Sequence, residues 1–523
     1  MNAVAPAVLF ALLTSQEDPF SETDALRLGW PRLAGPYSNF QAAPVATPLV
    51  GDLSQARLLW ESEFRDLGRA KGSSQAYRRA EQFTTEEFAR MGAPPGSWAG
   101  PVVAEGLVFA SSWRPCGEEA TVRGARVRLD AEDLVVAIDA LTGKTRWTAV
   151  EPGGILKGGG KRQGFQVAPV CHKGILYSLG STARLFAHEA ATGKKIWTSE
   201  VHPARPREEK ARREALAGLS EGKWTYSLNP NWCSSLTVAG DRLIVPDPQG
   251  GLVGVDLPTG ARKWFLPDVL SRWATPSVWR HGDREYLLCA NEKGELRLID
   301  PAEGRELWKL SGLGPTWFTL SPGRTHVLVN VVPDSGGRDR PRRPGRLGAV
   351  RLSPSGAERS WLAGEGDEHR IPVWMDSGAR VRVLYRNGRF LVTNPWQGKG
   401  PKAEEAEGDA GGTALLLEEE SGRVLSRLPP AETWNEQLGG LAYWCGDRVL
   451  ARADSFHGPR HGGRHPWTWW STVGDRLERL PGRMDLVEFT CGYEVPMETP
   501  FVAGLLFERT ERGGLACCDL RAR

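Results

Sequence analysis

From about residue 97 onward the chain is a succession of short apolar runs broken by tight turns, and the runs recur in a fixed order. "VVAIDALTGKTRW" ends at Trp147, "RLFAHEAATGKKIW" at Trp197, "LVGVDLPTGARKW" at Trp264 and "LRLIDPAEGRELW" at Trp308. Each reads as an apolar strand, an acidic residue, a turn closed by Gly, and a short strand bearing Trp. Asp139, Glu189, Asp256 and Asp300 stand four residues before Gly143, Gly193, Gly260 and Gly304, which in turn stand four before the Trp. Fainter copies follow in "AVRLSPSGAERSW", with Gly356 and Trp361, and in "LLLEEESGRVLSRL", with Glu418 and Gly422 but no Trp.

Each position has a physical reason. Gly takes a positive φ without a Cβ clash, which a tight turn needs. The acid before the turn can accept backbone N–H bonds and hold it. A Trp on the outer strand presents a large apolar face and one N–H donor, and can fill the seam between neighbouring sheets. A further pair of apolar runs precedes each copy: "GPVVAEGLVFASS", "FQVAPVCHKGILYSLGS", "SSLTVAGDRLIVPDPQGG" and "ATPSVWRHGDREYLLCANEKG". One unit is therefore four strands in roughly 40–50 residues, the size of a propeller blade.

Division by this unit places blades near 97–150, 165–201, 231–268, 272–312, 314–364, 369–430, 435–482 and 493–523. The last supplies only three strands. "ARLLWESE", Ala56 to Glu63, is a Trp-bearing strand with no blade of its own. Ring closure by this strand, with Trp60 as its docking residue, removes an exposed sheet edge. The expected fold is thus all-β: an eight-bladed β-propeller of four-stranded antiparallel blades, closed by an N-terminal strand, with seven blades as the alternative count. Short helical insertions are expected at "TTEEFARM", where Thr84 and Glu87 have capping-box spacing, and at "RPREEKARREALAGL", with Glu208–Arg212 and Glu209–Arg213 pairs.

Composition changes this picture little. The 66 basic and 63 acidic residues leave +3, so no global field argues for nucleic acid. No internal run is long and apolar enough to span a bilayer. Val4 to Leu13, "VAPAVLFALL", fits the apolar core of a secretory signal. The domain plan is then a signal peptide over 1–15, a lead-in with the ring-closing strand (56–63) and helical insertion over 16–96, and the propeller over 97–523. The location expected is periplasmic or secreted, with the cytoplasm as the alternative. The adjacent Cys517 and Cys518 fall in the third strand of the last blade, where side chains alternate between faces, and read as buried free thiols rather than a disulfide.

The repeats closely resemble the PQQ-like repeats of quinoprotein-type propellers, whose blades carry an A-x-D-x-x-T-G-x-x-x-W run. Ala137, Asp139, Thr142, Gly143 and Trp147 match every position, and the copies ending at Trp197, Trp264 and Trp308 match progressively less fully. "GWPRLAGPYSNF" is similar to the lead-in of exported bacterial members. The resemblance implies blade docking through Asp139, Gly143, Trp147, Glu189, Gly193, Trp197, Asp256, Gly260, Trp264, Asp300, Gly304, Trp308, Trp361 and Trp60.

Dehydrogenases of the family hold PQQ on the propeller axis over a Trp floor, with a calcium ion and an Asp base. Many relatives bind no quinone and act as interaction platforms, among them the exported scaffold lipoprotein of outer-membrane barrel assembly. The expectation is an exported, non-catalytic propeller that binds a protein, peptide or glycan, with no cofactor. One alternative is a PQQ- and Ca²⁺-dependent dehydrogenase of alcohols or sugars. Another is a metal-binding propeller using His457, His461 and His465 of "FHGPRHGGRHPW", a loop in which Arg460 and Arg464 would oppose a cation.

Overall fold

The computed structural model describes residues 19–67, 99–122, 125–155, 167–180, 183–201, 234–247, 250–271, 274–332, 345–363, 372–373, 382–394, 413–428, 441–452, 466–487, 498–510 and 512–522. Eight sheets, each four-stranded and antiparallel, make up the described chain. Blade 1 comprises Val102–Ala104, Leu107–Val122, Ala125–Asp139 and Thr145–Ile155, and blade 2 runs from Val170 to Glu200. Blades 3 to 7 follow over 237–266, 277–310, 326–373, 382–428 and 441–479.

Blade 8 takes its three inner strands from Phe501–Asp519 and its outer strand from Arg57–Glu61. That strand pairs Arg57 with Asp519, Leu58 with Cys518 and Trp60 with Cys517. The chain therefore closes into a ring through its N-terminal strand, and no blade edge is left at the junction. Cys517 and Cys518 lie in the third strand of this blade, both free and fully buried, and burial pushes both thiols well up.

Two blades depart from the repeat. In blade 1 the central hairpin has strands of 16 and 15 residues, against 5 and 6 in blade 2. In blade 5 the innermost segment, 315–323, forms no ladder with His326–Val332, and the fourth strand of the sheet is instead the short Pro372–Val373, paired to Gly345 and Arg346. Phe318 and Leu320 of that segment are still buried in the core. Here apolar burial keeps the position of a strand whose hydrogen bonds have been lost.

Antiparallel connectivity gives the ring two unlike ends. At one end lie the turns between first and second strands and between third and fourth, none longer than six residues. The long connections, including 202–233 and 395–412, start and finish at the other end. The expected helices near Thr84 and Glu208 and the apolar run over Val4–Leu13 lie outside the described residues. One helix that the periodicity did not flag is present at the turn end, Glu22–Leu28, capped by Ser21, whose Oγ accepts from Asp24 N–H at 3.1 Å.

Candidate functional site

The turn after the third strand has the same construction in five blades. In blade 1 the Asp139 carboxylate accepts from Thr142 N–H and Oγ1–H, both at 2.9 Å, and Gly143 N–H donates to the Asp139 carbonyl at 3.0 Å. Gly143 holds φ at +72°, with Gly193, Gly260, Gly304 and Gly422 between +67° and +72°. The chain can double back this tightly only where no Cβ intervenes.

Each such turn receives an indole from the preceding blade. Trp60 Nε1–H donates to the Ala140 carbonyl at 3.0 Å, Trp147 to Ala190 at 2.8 Å and Trp197 to Leu257 at 3.0 Å. Trp264 donates to Pro301 at 3.0 Å, Trp308 to Ser353 at 2.8 Å and Trp361 to Glu419 at 3.0 Å. Five of the six rings rest directly on a turn glycine: a Cβ on Gly193 would come within 2.5 Å of the Trp147 ring. Asp139, Glu189, Asp256 and Asp300 shape the turns, the glycines admit the rings, and the Trp side chains span the seams. Trp308 is the exception, since the blade 5 turn brings no glycine beneath it.

Among the described residues, no outer-strand indole docks on the next blade's turn between blades 6 and 7 or between blades 7 and 8. Ser426 occupies the Trp position of blade 6, four residues after Gly422, and its Oγ accepts from Leu477 N–H at 3.0 Å. At blade 8 the Leu520 carbonyl, equivalent to Ala140 in blade 1, accepts from Val50 N–H at 2.9 Å. The N-terminal segment fills this seam: Ala522 N–H donates to Pro48, Leu53 N–H to Pro481, and Arg448 to the Val50 carbonyl.

Upstream, the same segment crosses the turn end of the axis. Trp30 exchanges backbone bonds with Val103 of blade 1 at 2.7 and 3.0 Å. Cys171 N–H of blade 2 donates to Pro31, and Arg32 Nη1 donates to the Val238 carbonyl of blade 3. Tyr385 N–H of blade 6 donates to Asn39, and Trp444 of blade 7 bonds Phe40 and Ala42. Innermost strands present unpaired backbone groups to the channel, and this strap pairs them. Its path is tight, with positive φ at Ala34, Ser38 and Phe40. Trp30 is wholly buried, edge-on to Tyr443 at 5.3 Å.

Charge is buried in the same arc of blades, toward the end from which the long connections leave. Arg452 of blade 7 meets Glu508 of blade 8 at 2.6 Å, and Trp467 Nε1–H donates to the same carboxylate oxygen at 3.0 Å. Arg382 of blade 6 lies 3.8 Å from Glu498, which leads into blade 8, and 4.1 Å over the Phe40 ring. Burial pushes the Glu498 carboxyl up to about 7 against the pull of Arg382.

Glu498 is also the only acid among the described residues of the eight innermost segments and the three positions that lead into each. Calcium is bound by six to eight oxygen ligands, several of them carboxylates. Among the described residues this donor set does not fit the ion. His457, His461 and His465 lie outside the described residues.

Sequence reasoning found the turn and Trp positions but missed the strap and the buried pairs. The capping signal "SETD" at Ser21 was available as a marker of the strap's start.

Residues 131–316 match a PQQ-repeat family model described as outer membrane protein assembly factor BamB. No curated protein matches the chain in sequence. Among solved structures, BamB from Moraxella catarrhalis is 12% identical, with a TM-score of 0.45 over 80% of this chain and 99% of its own. The quinohemoprotein alcohol dehydrogenase from Comamonas testosteroni is 13% identical, with a TM-score of 0.48 over 99% of this chain and 84% of its own. The computationally designed Ika8 protein is 11% identical, with a TM-score of 0.46 over 81% and 96%. Likenesses this distant add nothing to the blade geometry above. The matched span carries the four clearest Asp–Gly–Trp units, and six of the eight seams repeat their indole contact: the chain is an eight-bladed β-propeller whose residues 131–316 are PQQ-like repeats.

Proposed function

We propose that this propeller is an exported, non-catalytic binding module that engages a protein, peptide or glycan through its long-connection end. The observation that supports this reading is the asymmetry of the ring. The turn end is covered by the chain's own strap, which takes up backbone groups of blades 1, 2, 6 and 7. The opposite end carries the extended hairpin of blade 1 and the long connections. Partner recognition concentrates on such irregular segments held by a rigid frame. Export rests on the Val4–Leu13 run, and no helix among the described residues is long and apolar enough to cross a membrane.

The quinone-dependent alternative has less support. Among the described residues, a single axial acid paired to Arg382 offers neither a calcium cage nor a second carboxylate free to act as base.

Site-specific photocrosslinking separates the readings. A crosslinker placed along the blade 1 hairpin should trap a discrete partner in extracts of the native host, while one at the turn-end residues Lys144 or Lys194 should not. Equal trapping from both ends, or none from the hairpin, rejects the module reading. Dye-linked oxidation of alcohols or sugars on addition of PQQ and Ca²⁺ would establish the alternative.

A further inference from the structure

Seven carboxylate side chains are buried among the described residues: Asp133, Glu151, Asp300, Glu419, Glu498, Glu508 and Asp519. Six of them face a Lys or Arg within 4.0 Å: Arg184, Lys195, Arg284, Arg382, Arg452 and Arg521 respectively. Glu419, only 2% exposed, makes no ion pair with a basic side chain among the described residues. A buried carboxylate is stabilised by a counter-charge, a metal or hydrogen bonds, because desolvation of the bare anion is costly.

The surroundings of Glu419 show what could supply it. Glu419 begins the turn of blade 6, and Oε1 accepts from Thr325 N–H at 2.8 Å and His326 N–H at 3.1 Å across the seam in blade 5. Its Oε2 accepts from Tyr385 O–H at 2.7 Å. His326 is fully buried beside it, with Nε2 at 3.2 Å from Ser360 Oγ. When Nε2 carries the proton and gives it to Ser360, Nδ1 presents a lone pair toward Glu419 and Glu420.

The Thr325 hydroxyl sits among these groups, 2.9 Å from His326 Nδ1, 3.3 Å from Glu419 Oε1 and 2.7 Å from Glu420 Oε1. One hydroxyl hydrogen is thus surrounded by three acceptors and can satisfy only one. The Arg351 guanidinium reaches Glu420 at 3.7 Å with both side chains more than half exposed, which contributes little.

We propose that His326, Glu419 and Glu420 form a binding site for a divalent cation of the zinc class, which ties blade 5 to blade 6. The three ligand atoms lie within 4.8 Å of one another and form the one such cluster among the described residues. One imidazole nitrogen and two carboxylate oxygens are a zinc donor set, with the Thr325 hydroxyl or a water completing the four. Ser360 on Nε2 and Tyr385 on Oε2 orient the ligands from behind. The ion supplies the positive charge that the other six buried carboxylates receive from Lys or Arg.

The test uses the full chain carrying His457→Ala, His461→Ala and His465→Ala, which removes the loop histidines as competing ligands. After chelator treatment and dialysis, Zn²⁺ is titrated by calorimetry, and Co²⁺ is added to read ligand geometry from its visible absorption. About one equivalent of Zn²⁺ should bind, Co²⁺ should give a low-symmetry spectrum, and unfolding should move to higher temperature. Adding Glu420→Gln, an exposed change that leaves the buried carboxylate and the fold in place, should weaken Zn²⁺ at least about tenfold. His326→Gln should abolish the Co²⁺ spectrum. Absence of a bound equivalent in the triple-His variant, or an unchanged affinity with Glu420→Gln added, overturns the site.

Discussion

From blade 8 forward to blade 6, every seam carries an indole donating to the next blade, whereas from blade 6 back round to blade 8 the N-terminal strap, Ser426 and buried ion pairs stand in its place. The two arcs meet the same need by different physics. An indole on a glycine is local: it requires one large side chain and one absent one, and it tolerates solvent at its rim. The strap arc is non-local and polar, and depends on backbone bonds between residues hundreds of positions apart. The Trp arc should therefore lose stability seam by seam, and the strap arc as a unit.

The sharpest test of that difference removes a Trp from each arc. Trp30 is wholly buried, bonded to blade 1 and edge-on to Tyr443 of blade 7. Trp30→Ala should cost about 4 kcal/mol in urea unfolding, because the cavity opens on the axis where no neighbour can collapse into it. Trp147 is only half-buried, so Trp147→Ala should cost less and leave the strap arc protected in hydrogen exchange. Equal costs, or a loss of protection confined to blades 1 and 2 in both variants, would remove the distinction between the arcs.

The pH response comes next in size and has opposite signs in the two arcs. Burial raises Glu498 from its ordinary 4.5 to about 7. Between those values the folded chain keeps a proton that the unfolded chain has released. Stability contributed by this group therefore falls as pH rises from about 4.5 to about 7, by about 3 kcal/mol in all, and is flat above. The turn acid Asp256 behaves inversely. Its bond from Thr259 holds its carboxyl below the usual range, so its contribution is lost as pH falls below about 4. Unfolding free energies measured from pH 4 to 8 should show the decline, and Glu498→Gln should flatten it. An unchanged slope in that variant would mean that Glu498 is not the titrating group.

How far each arc could be read from sequence follows from the same contrast. The Trp arc was legible because acid, glycine and indole sit within eight residues of one another, and the ring-closing Trp60 betrayed itself by the same local pattern. The strap was not. Val50, Trp30 and Phe40 act through backbone N–H and C=O groups, which every residue carries, so no residue type announces them. The missing ladder in blade 5 was hidden for the related reason that Phe318 and Leu320 keep the apolar pattern of the strand they replace. Glu419 was invisible because its partners Thr325 and His326 lie more than ninety residues upstream and meet it only across a seam.

The smallest effect tests whether the seam between blades 6 and 7 has truly replaced the indole or merely lost it. Ser426 Oγ accepts from the Leu477 N–H, and Leu477 is buried. Ser426→Ala should cost about 1 kcal/mol, the penalty of leaving that donor unpaired. Ser426→Thr, which keeps the hydroxyl, should recover most of it. If Ser426→Ala is neutral, the hydroxyl does not hold the seam, and the strap and ion pairs alone carry the arc. If the loss is confirmed, one hydroxyl does at this seam what an indole does at six others, at a smaller energy and without a glycine opposite it.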